Sequence, residues 1–160
     1  MIKTVIFFFL LTYQTVQANI NVKSIIKLNQ NIPEECGLSF SVKKNYLSDI
    51  SFSIKKLKNK DTQTHFIVNS KKSIIDADII TSSSKISEIL KIKKSSNNYF
   101  SLKGETNDDS APFVFQELLI NGGIIKINDE SYEIKGPIDS KVRLEYLFCT
   151  GEMFLPNYDK

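Results

Sequence analysis

The stretch that decides the fold is "CGLSFSVKKNYLSDISFSIKK", residues 36 to 56. Apolar residues alternate with serine or lysine twice, at 38, 40 and 42 and again at 50, 52 and 54. Strict alternation is the period of a strand that buries one face. The short polar segment between the two runs predicts that they are antiparallel neighbours in a sheet.

Other short runs rich in β-forming residues predict more strands of the same kind. They lie at 64–70, 71–84 and 99–105, with a β-hairpin at 124–136 whose turn is Asn128 to Ser131. Before them, residues 19–35 form a polar lead-in that either adds an edge strand or is loosely tied down.

Helical signals are fewer. "SAPFVFQELLINGG", residues 110–123, predicts the main helix over about 111–121. Ser110 can cap it, Pro112 lies in the first turn where a missing N–H costs nothing, and Gly122 and Gly123 fit its end. Apolar residues at helical spacing in "SKISEILKI", residues 84–92, predict one or two helical turns.

The segment "DSKVRLEYLFCTG", residues 139–151, is ambiguous. Val142, Leu144, Tyr146 and Phe148 alternate with charged residues, which favours a strand. Asp139 or Ser140 as a cap and Gly151 as a stop favour a helix of three turns instead. We favour the strand.

These elements predict an α+β, β-rich fold, either an antiparallel sandwich or a partly open barrel, with one main helix and one disulfide. No internal repeat or linker-like change of composition divides the chain. Residues 36–160 are therefore predicted to be a single globular domain, a size sufficient for its own core.

The first 18 residues, "MIKTVIFFFLLTYQTVQA", have the three parts of a secretory signal peptide. Lys3 provides the positive start, Val5 to Leu11 form the apolar region, and Val16 and Ala18 suit a cleavage site. A membrane-spanning helix needs about 20 apolar residues, so a stable anchor is not expected. A buried N-terminal strand is the other alternative. The prediction is cleavage after Ala18 and a periplasmic or extracellular protein.

Export determines how the two cysteines are interpreted. An oxidising compartment favours a disulfide between Cys36 and Cys149. The bond would close a loop of 113 residues. By restricting the unfolded chain, a loop of this length stabilises the fold by at most about 4 to 5 kcal/mol. A zinc site would need His65 and a carboxylate in addition, and no recognisable spacing supports it. Neither a metal nor a cofactor is predicted.

Composition excludes some function classes. The formal net charge is only +3, and Arg143 is the single arginine among 21 basic residues. Nucleic-acid binding is therefore not expected, because phosphate and base recognition favours arginine. Abundant lysine, isoleucine and asparagine indicate an AT-rich genome, which suggests a bacterial protein.

Few residues suggest catalysis. His65 lacks a recognisable nucleophile motif near it, and the pair Asp76 and Asp78 in "DAD" is more typical of a solvated strand face. The segment near the C-terminus has more aromatic and aliphatic side chains than one buried face needs. Arg143, Leu147 and Phe154 could therefore face a protein partner. The prediction is an exported, non-enzymatic interaction protein: an envelope or secretion-system accessory, a host-directed factor or an inhibitor. The alternatives are a small hydrolase that uses His65 with a Ser or Asp partner, and a small-ligand-binding barrel.

Overall fold

The computed structural model describes residues 20–42, 47–57, 62–86, 90–96, 99–106 and 111–154. Two antiparallel sheets and two helices form a β-rich α+β fold, and the described strands do not close into a barrel. The predicted fold class is confirmed. The predicted signal peptide at 1–18, the Ser110 cap and the tail after Phe154 lie outside the described residues.

The larger sheet has six antiparallel strands in the spatial order β1-β2-β3-β4-β8-β7. Their bounds are β1 (Ile20–Asn29), β2 (Ile32–Val42), β3 (Leu47–Lys56), β4 (Thr62–Ser70), β7 (Leu90–Ser96) and β8 (Tyr99–Thr106). The smaller sheet has four strands in the order β10-β9-β5-β6. They are β5 (Ala77–Ile80), β6 (Lys85–Ile86), β9 (Gly122–Ile127) and β10 (Glu130–Lys135).

The alternating stretch forms β2 and β3 as predicted. Leu38 is opposite Phe52, and Phe52 is opposite Phe66 in β4, so the apolar side chains of three strands form rows on one face. All three are buried, and the rings of Phe52 and Phe66 meet edge to face at 6.3 Å. Burial of such rows against the second sheet and the helices supplies the main stabilising term of the fold.

The predicted hairpin at 124–136 is also present, as β9 and β10. Its turn is Asn128–Asp129, shorter than predicted, and Asn128 has a positive φ of 52°. The Asn128 side chain accepts a hydrogen bond from the Ile75 amide at 2.8 Å and donates to the Ser73 carbonyl at 3.1 Å. The turn therefore fixes the loop that leads into β5.

The main helix, α1 (Ala111–Asn121), has the predicted bounds. Gly122 follows it with φ +78°, the left-handed conformation that ends many helices. Phe115 is fully buried and stacks on Phe52 with ring centroids 3.9 Å apart. Phe113, two residues earlier on the same helix, is 64% exposed.

The strand prediction for the segment 139–151 is wrong, because residues 140–154 form a second helix, α2 (Ser140–Phe154). Asp139 caps it: Oδ1 accepts hydrogen bonds from the Lys141 amide at 2.9 Å and the Val142 amide at 3.4 Å. The helix also continues past Gly151. The alternation misled because apolar residues occur on both the inner and the outer side of this helix.

The helical turns predicted in 84–92 are also wrong where the structure describes them. Residues 85–86 form β6, with Ile86 opposite Ile79 in β5, and 90–96 form β7, which pairs with β8. Residues 87–89 lie outside the described part. Pairing with neighbouring strands overrides the local helical spacing here.

Residues 20–29 of the predicted lead-in form an edge strand, the first of the two alternatives, and residues 32–35 begin β2. β1 pairs with β2 along its whole length, from Ile20 opposite Val42 to Asn29 opposite Ile32. The connecting residues Gln30 and Asn31 both have positive φ, 51° and 64°, as a tight two-residue hairpin turn requires.

Candidate partner-binding surface

The predicted disulfide joins Cys36 of β2 to Cys149 of α2, with the Cα atoms 5.8 Å apart. Both residues are buried in the common core. The bond uses both cysteines of the chain, so neither thiolate is available as a zinc ligand or a nucleophile. Cys149 is therefore a structural residue that attaches α2 covalently to the sheet.

Three further contacts seat α2 on the larger sheet and on α1. Ser24 of β1 donates a hydrogen bond to the Glu145 carboxylate, and Lys56 of β3 donates to the Met153 carbonyl at 2.7 Å. The Tyr146 ring stacks on Phe115 at 5.0 Å. Burial raises the pKa of the Tyr146 phenol, which keeps it neutral. Together with the disulfide, these contacts fix the rotation of α2 about its axis.

The fixed rotation gives α2 two apolar stripes. The inner stripe, Val142, Tyr146, Cys149 and Met153, is buried at the spacing of one helix face. On the outer side, Leu144, Leu147 and Phe148 are 54%, 56% and 69% exposed. Their spacing of three and four residues makes them neighbours. We call these three residues the α2 stripe.

The end of the β1–β2 hairpin lies beside this stripe. Ser24 and Ile26 are on the same face of β1, and Ile26 is directly opposite Cys36. Ser24 bonds to Glu145, and Ile26 is opposite Cys36, which is joined to Cys149, so Ile26 lies near the part of α2 that carries Phe148. Ile26 and Leu28 are both exposed. We call Ile26 and Leu28 the hairpin rim.

The predicted partner residues fall partly on this surface. Leu147 is in the middle of the α2 stripe. Arg143 is half-buried one turn before it, and its Nε is buried with no hydrogen-bond acceptor among the described residues. The side chain of Phe154 lies outside the described part. Leu144, Phe148 and the hairpin rim were missed, because they become neighbours only once 140–154 is recognised as a helix.

A polar cluster occupies the other face of the larger sheet. Glu35 is buried there, where it accepts hydrogen bonds from Ser53 at 2.6 Å and from Lys27 at 2.8 Å. Burial alone raises the pKa of Glu35. The hydrogen bonds from Lys27 and Ser53 and the charges of Lys27 and His65 outweigh burial, and the pKa lies below its usual 4.5. The carboxylate therefore stays ionised near neutral pH.

His65, the centre of the hydrolase alternative, lies next to this cluster. It is directly opposite Ser53 across β3 and β4, and both are buried. The Ser53 hydroxyl donates to Glu35, whereas His65 Nε2 lies 3.1 Å from the Gln63 side-chain oxygen. Nucleophilic catalysis needs an exposed serine whose proton passes to the histidine. The three residue types are close together, but their hydrogen bonds are not arranged in that order.

A second carboxylate, Glu117 of α1, holds the loop after β5. Its oxygens accept hydrogen bonds from the hydroxyls of Thr81, Ser82 and Ser83, the last two at 3.0 Å and 2.5 Å. The bonds from Ser83 and Thr81 lower the pKa of Glu117 to about 2. The cluster ties the loop at 81–84 to α1, which is a structural role.

Asp76 and Asp78, the pair in "DAD", make separate contacts. Asp78 pairs with Lys85 at 3.1 Å, and the Asp76 carbonyl accepts a hydrogen bond from the Asn128 amide. Within the described ranges, no three His, Cys, Asp or Glu side chains are grouped so that they could hold a metal ion. An open surface cleft of about 540 Å³ lies beside Gly122 and Gly136.

None of the helices in the described part of the chain is long and apolar enough to cross a membrane. Comparison with protein-family models, with curated proteins and with solved structures finds no match to this chain. The candidate surface is thus defined by its geometry alone: the α2 stripe, the hairpin rim and the disulfide beneath them.

Proposed function

We propose that this chain is an exported, non-enzymatic binding protein that docks another protein on the α2 stripe and the hairpin rim. The observation that carries the proposal is the exposure of Leu144, Leu147 and Phe148 together on one helix. Contiguous apolar patches are uncommon on monomeric proteins and mark interaction sites. Aromatic and large aliphatic side chains also provide most of the binding energy in interfaces.

The rigidity of the surface supports the same function. The disulfide, the Ser24–Glu145 hydrogen bond and the buried inner stripe hold α2 in one orientation before any partner binds. A preorganised surface loses less conformational entropy on binding than a mobile one. Rigid display of an apolar stripe suits a binding protein, an envelope or secretion-system accessory or an inhibitor.

Export is supported by two independent features. The first 18 residues have the pattern of a cleavable signal peptide, and a buried disulfide is stable in a compartment that lacks strong reductants. The proposed location is the periplasm or the exterior of a bacterial cell. Sequencing the N-terminus of the protein recovered from native cells tests this, with Asn19 as the expected first residue.

The docking proposal is tested by site-specific photocrosslinking in the native cells. A photoreactive residue is placed at Leu147, and a matched one at Ile75, which is similarly exposed (67%) but lies in the loop before β5. We expect one discrete, saturable crosslinked product from position 147 and none from position 75. The same products from both positions would contradict docking at the α2 stripe.

A further inference from the structure

The outer backbone edge of β1 is the feature that indicates what kind of partner fits. β1 is the last strand of the six-stranded sheet, and within the described residues no strand pairs with its other side. Ile20 and Val22 pack against the core with one face of the strand, and β10 contacts β1, while Lys23 on the opposite face is exposed. Residues 26–29 are exposed, so the second half presents unpaired backbone groups.

The side chains of β1 differ between its two faces. On the face toward α2 lie Ile26 and Leu28, both exposed. On the opposite face lie Lys23 and Lys27, both exposed. Lys27 is paired with Glu35 at 2.8 Å, but its side chain stays 64% exposed, so both lysines contribute positive charge to this row, Lys23 the more strongly.

We propose that the partner adds an extended segment as a new strand beside β1, with apolar residues on the α2 side and acidic residues on the lysine side. This inference rests on the proposed function and specifies its ligand. Main-chain hydrogen bonds to the open edge provide affinity, and side chains at alternating positions provide specificity. The apolar side chains contact the hairpin rim and Phe148, and an acidic side chain faces Lys23.

A second copy of this chain fits the edge less well than such a segment. An antiparallel pair of β1 strands centred on Ile25 would place Lys23 opposite Lys27 at two positions. Like charges directly opposite destabilise a strand pair. Lysines on an edge strand are a common protection against self-association. With an acidic partner strand, the repulsion between lysines is replaced by attraction between lysine and carboxylate.

The test uses the full chain and three synthetic octapeptides. One alternates valine with glutamate, one alternates valine with lysine, and one is the glutamate peptide with alternate backbone amides methylated. Binding is followed by NMR titration and by hydrogen exchange of the amides at 25–29. We expect the glutamate peptide to bind and to slow exchange in this stretch, and the other two to bind at least fivefold more weakly.

Charge reversal on the protein provides the matched control. Lys23→Glu should weaken binding of the glutamate peptide about fivefold and strengthen binding of the lysine peptide. Lys126→Glu makes the same charge change on the exposed face of β9, and it should leave the binding of both peptides unchanged. Equal effects of the two substitutions, or binding that does not depend on the sign of the peptide charge, would overturn the acidic-strand proposal.

The outcomes separate this inference from the function on which it rests. A crosslinked partner at Leu147 together with unchanged β1 exchange and no peptide selectivity would refute strand addition and leave docking intact. Protection of 25–29 by a second copy, seen as concentration-dependent dimers without peptide, would also refute it. If the photoreactive residue at position 147 gives no crosslinked product, the docking function itself is refuted.

Discussion

The two helices of this protein are similar in size but differ in how they are held. α1 is held by packing and by the hydrogen bonds of Glu117 to the 81–84 loop. α2 is held by a disulfide in addition to its packing. The exposed apolar residues of α1, Phe113 and Ile120, lie seven positions apart, whereas those of α2 form a contiguous stripe.

This difference between the helices distinguishes apolar residues that are buried in the core from apolar residues that stay exposed. The inner side chains of each helix are buried in one shared core that includes both sheets. The α2 stripe contributes little to that core, yet exposing it costs solubility. A covalent bond lies beneath the exposed apolar stripe of α2, and α1 has no equivalent bond.

The largest expected effect comes from removing the bond that only α2 has. Replacing both Cys36 and Cys149 with alanine should lower the free energy of unfolding by up to about 5 kcal/mol, because the bond closes a loop of 113 residues. Urea denaturation at constant pH measures the loss. Hydrogen exchange should accelerate more in α2 than in α1. A loss below about 1 kcal/mol, or equal acceleration in both helices, would contradict the difference between them.

The second prediction compares two phenylalanines of α1. Phe115→Ala should cost about 3 to 5 kcal/mol, because the ring is fully buried and stacks on both Phe52 and Tyr146. Phe113→Ala, the matched control two residues away, should stay within about 0.5 kcal/mol. Thermal denaturation of the two variants measures both losses of stability. Similar losses would mean that the exposed ring also supports the fold.

The two helices also show how far sequence reasoning reaches. The bounds of α1 were predictable because the signals for its start, Ser110 and Pro112, and for its end, Gly122 and Gly123, agree. α2 was assigned to a strand because Leu144 and Phe148 fill the gaps between inner residues and produce an alternating pattern. The hairpin at 124–136 followed from a local signal, and the disulfide from the expected export together with a count of two cysteines.

The surface itself was only partly predictable. Leu147 and Arg143 were selected from the apolar surplus of the C-terminal segment, but Ile26 and Leu28 lie more than 110 positions earlier. Only the pairing of β1 with β2 and the Cys36–Cys149 bond bring them beside α2. No local pattern encodes that neighbourhood.

A smaller effect is expected from acid, and of the two helices it concerns α1. The folded-state pKa of Glu117 is about 2, below the ordinary 4.5, so its contribution is present above pH 4.5 and lost as the pH falls toward 2. Amide exchange in 81–84 should accelerate over this range while α2 remains protected. Glu117→Gln should remove the pH dependence. An ordinary Glu117 titration by NMR would show that the hydroxyl cluster does not form.

The smallest effect on stability is expected at the α2 stripe, and it distinguishes folding from binding most sharply. Leu147→Ser should change the free energy of unfolding by no more than about 0.5 kcal/mol, because the side chain is more than half exposed. Met153→Ala, on the inner side of the same helix, should cost about 2 to 5 kcal/mol. The same Leu147→Ser variant should compete poorly with the photoreactive protein for its partner. A loss of 2 kcal/mol or more on Leu147→Ser would assign this residue to the core, and the stripe would then no longer be a candidate for binding.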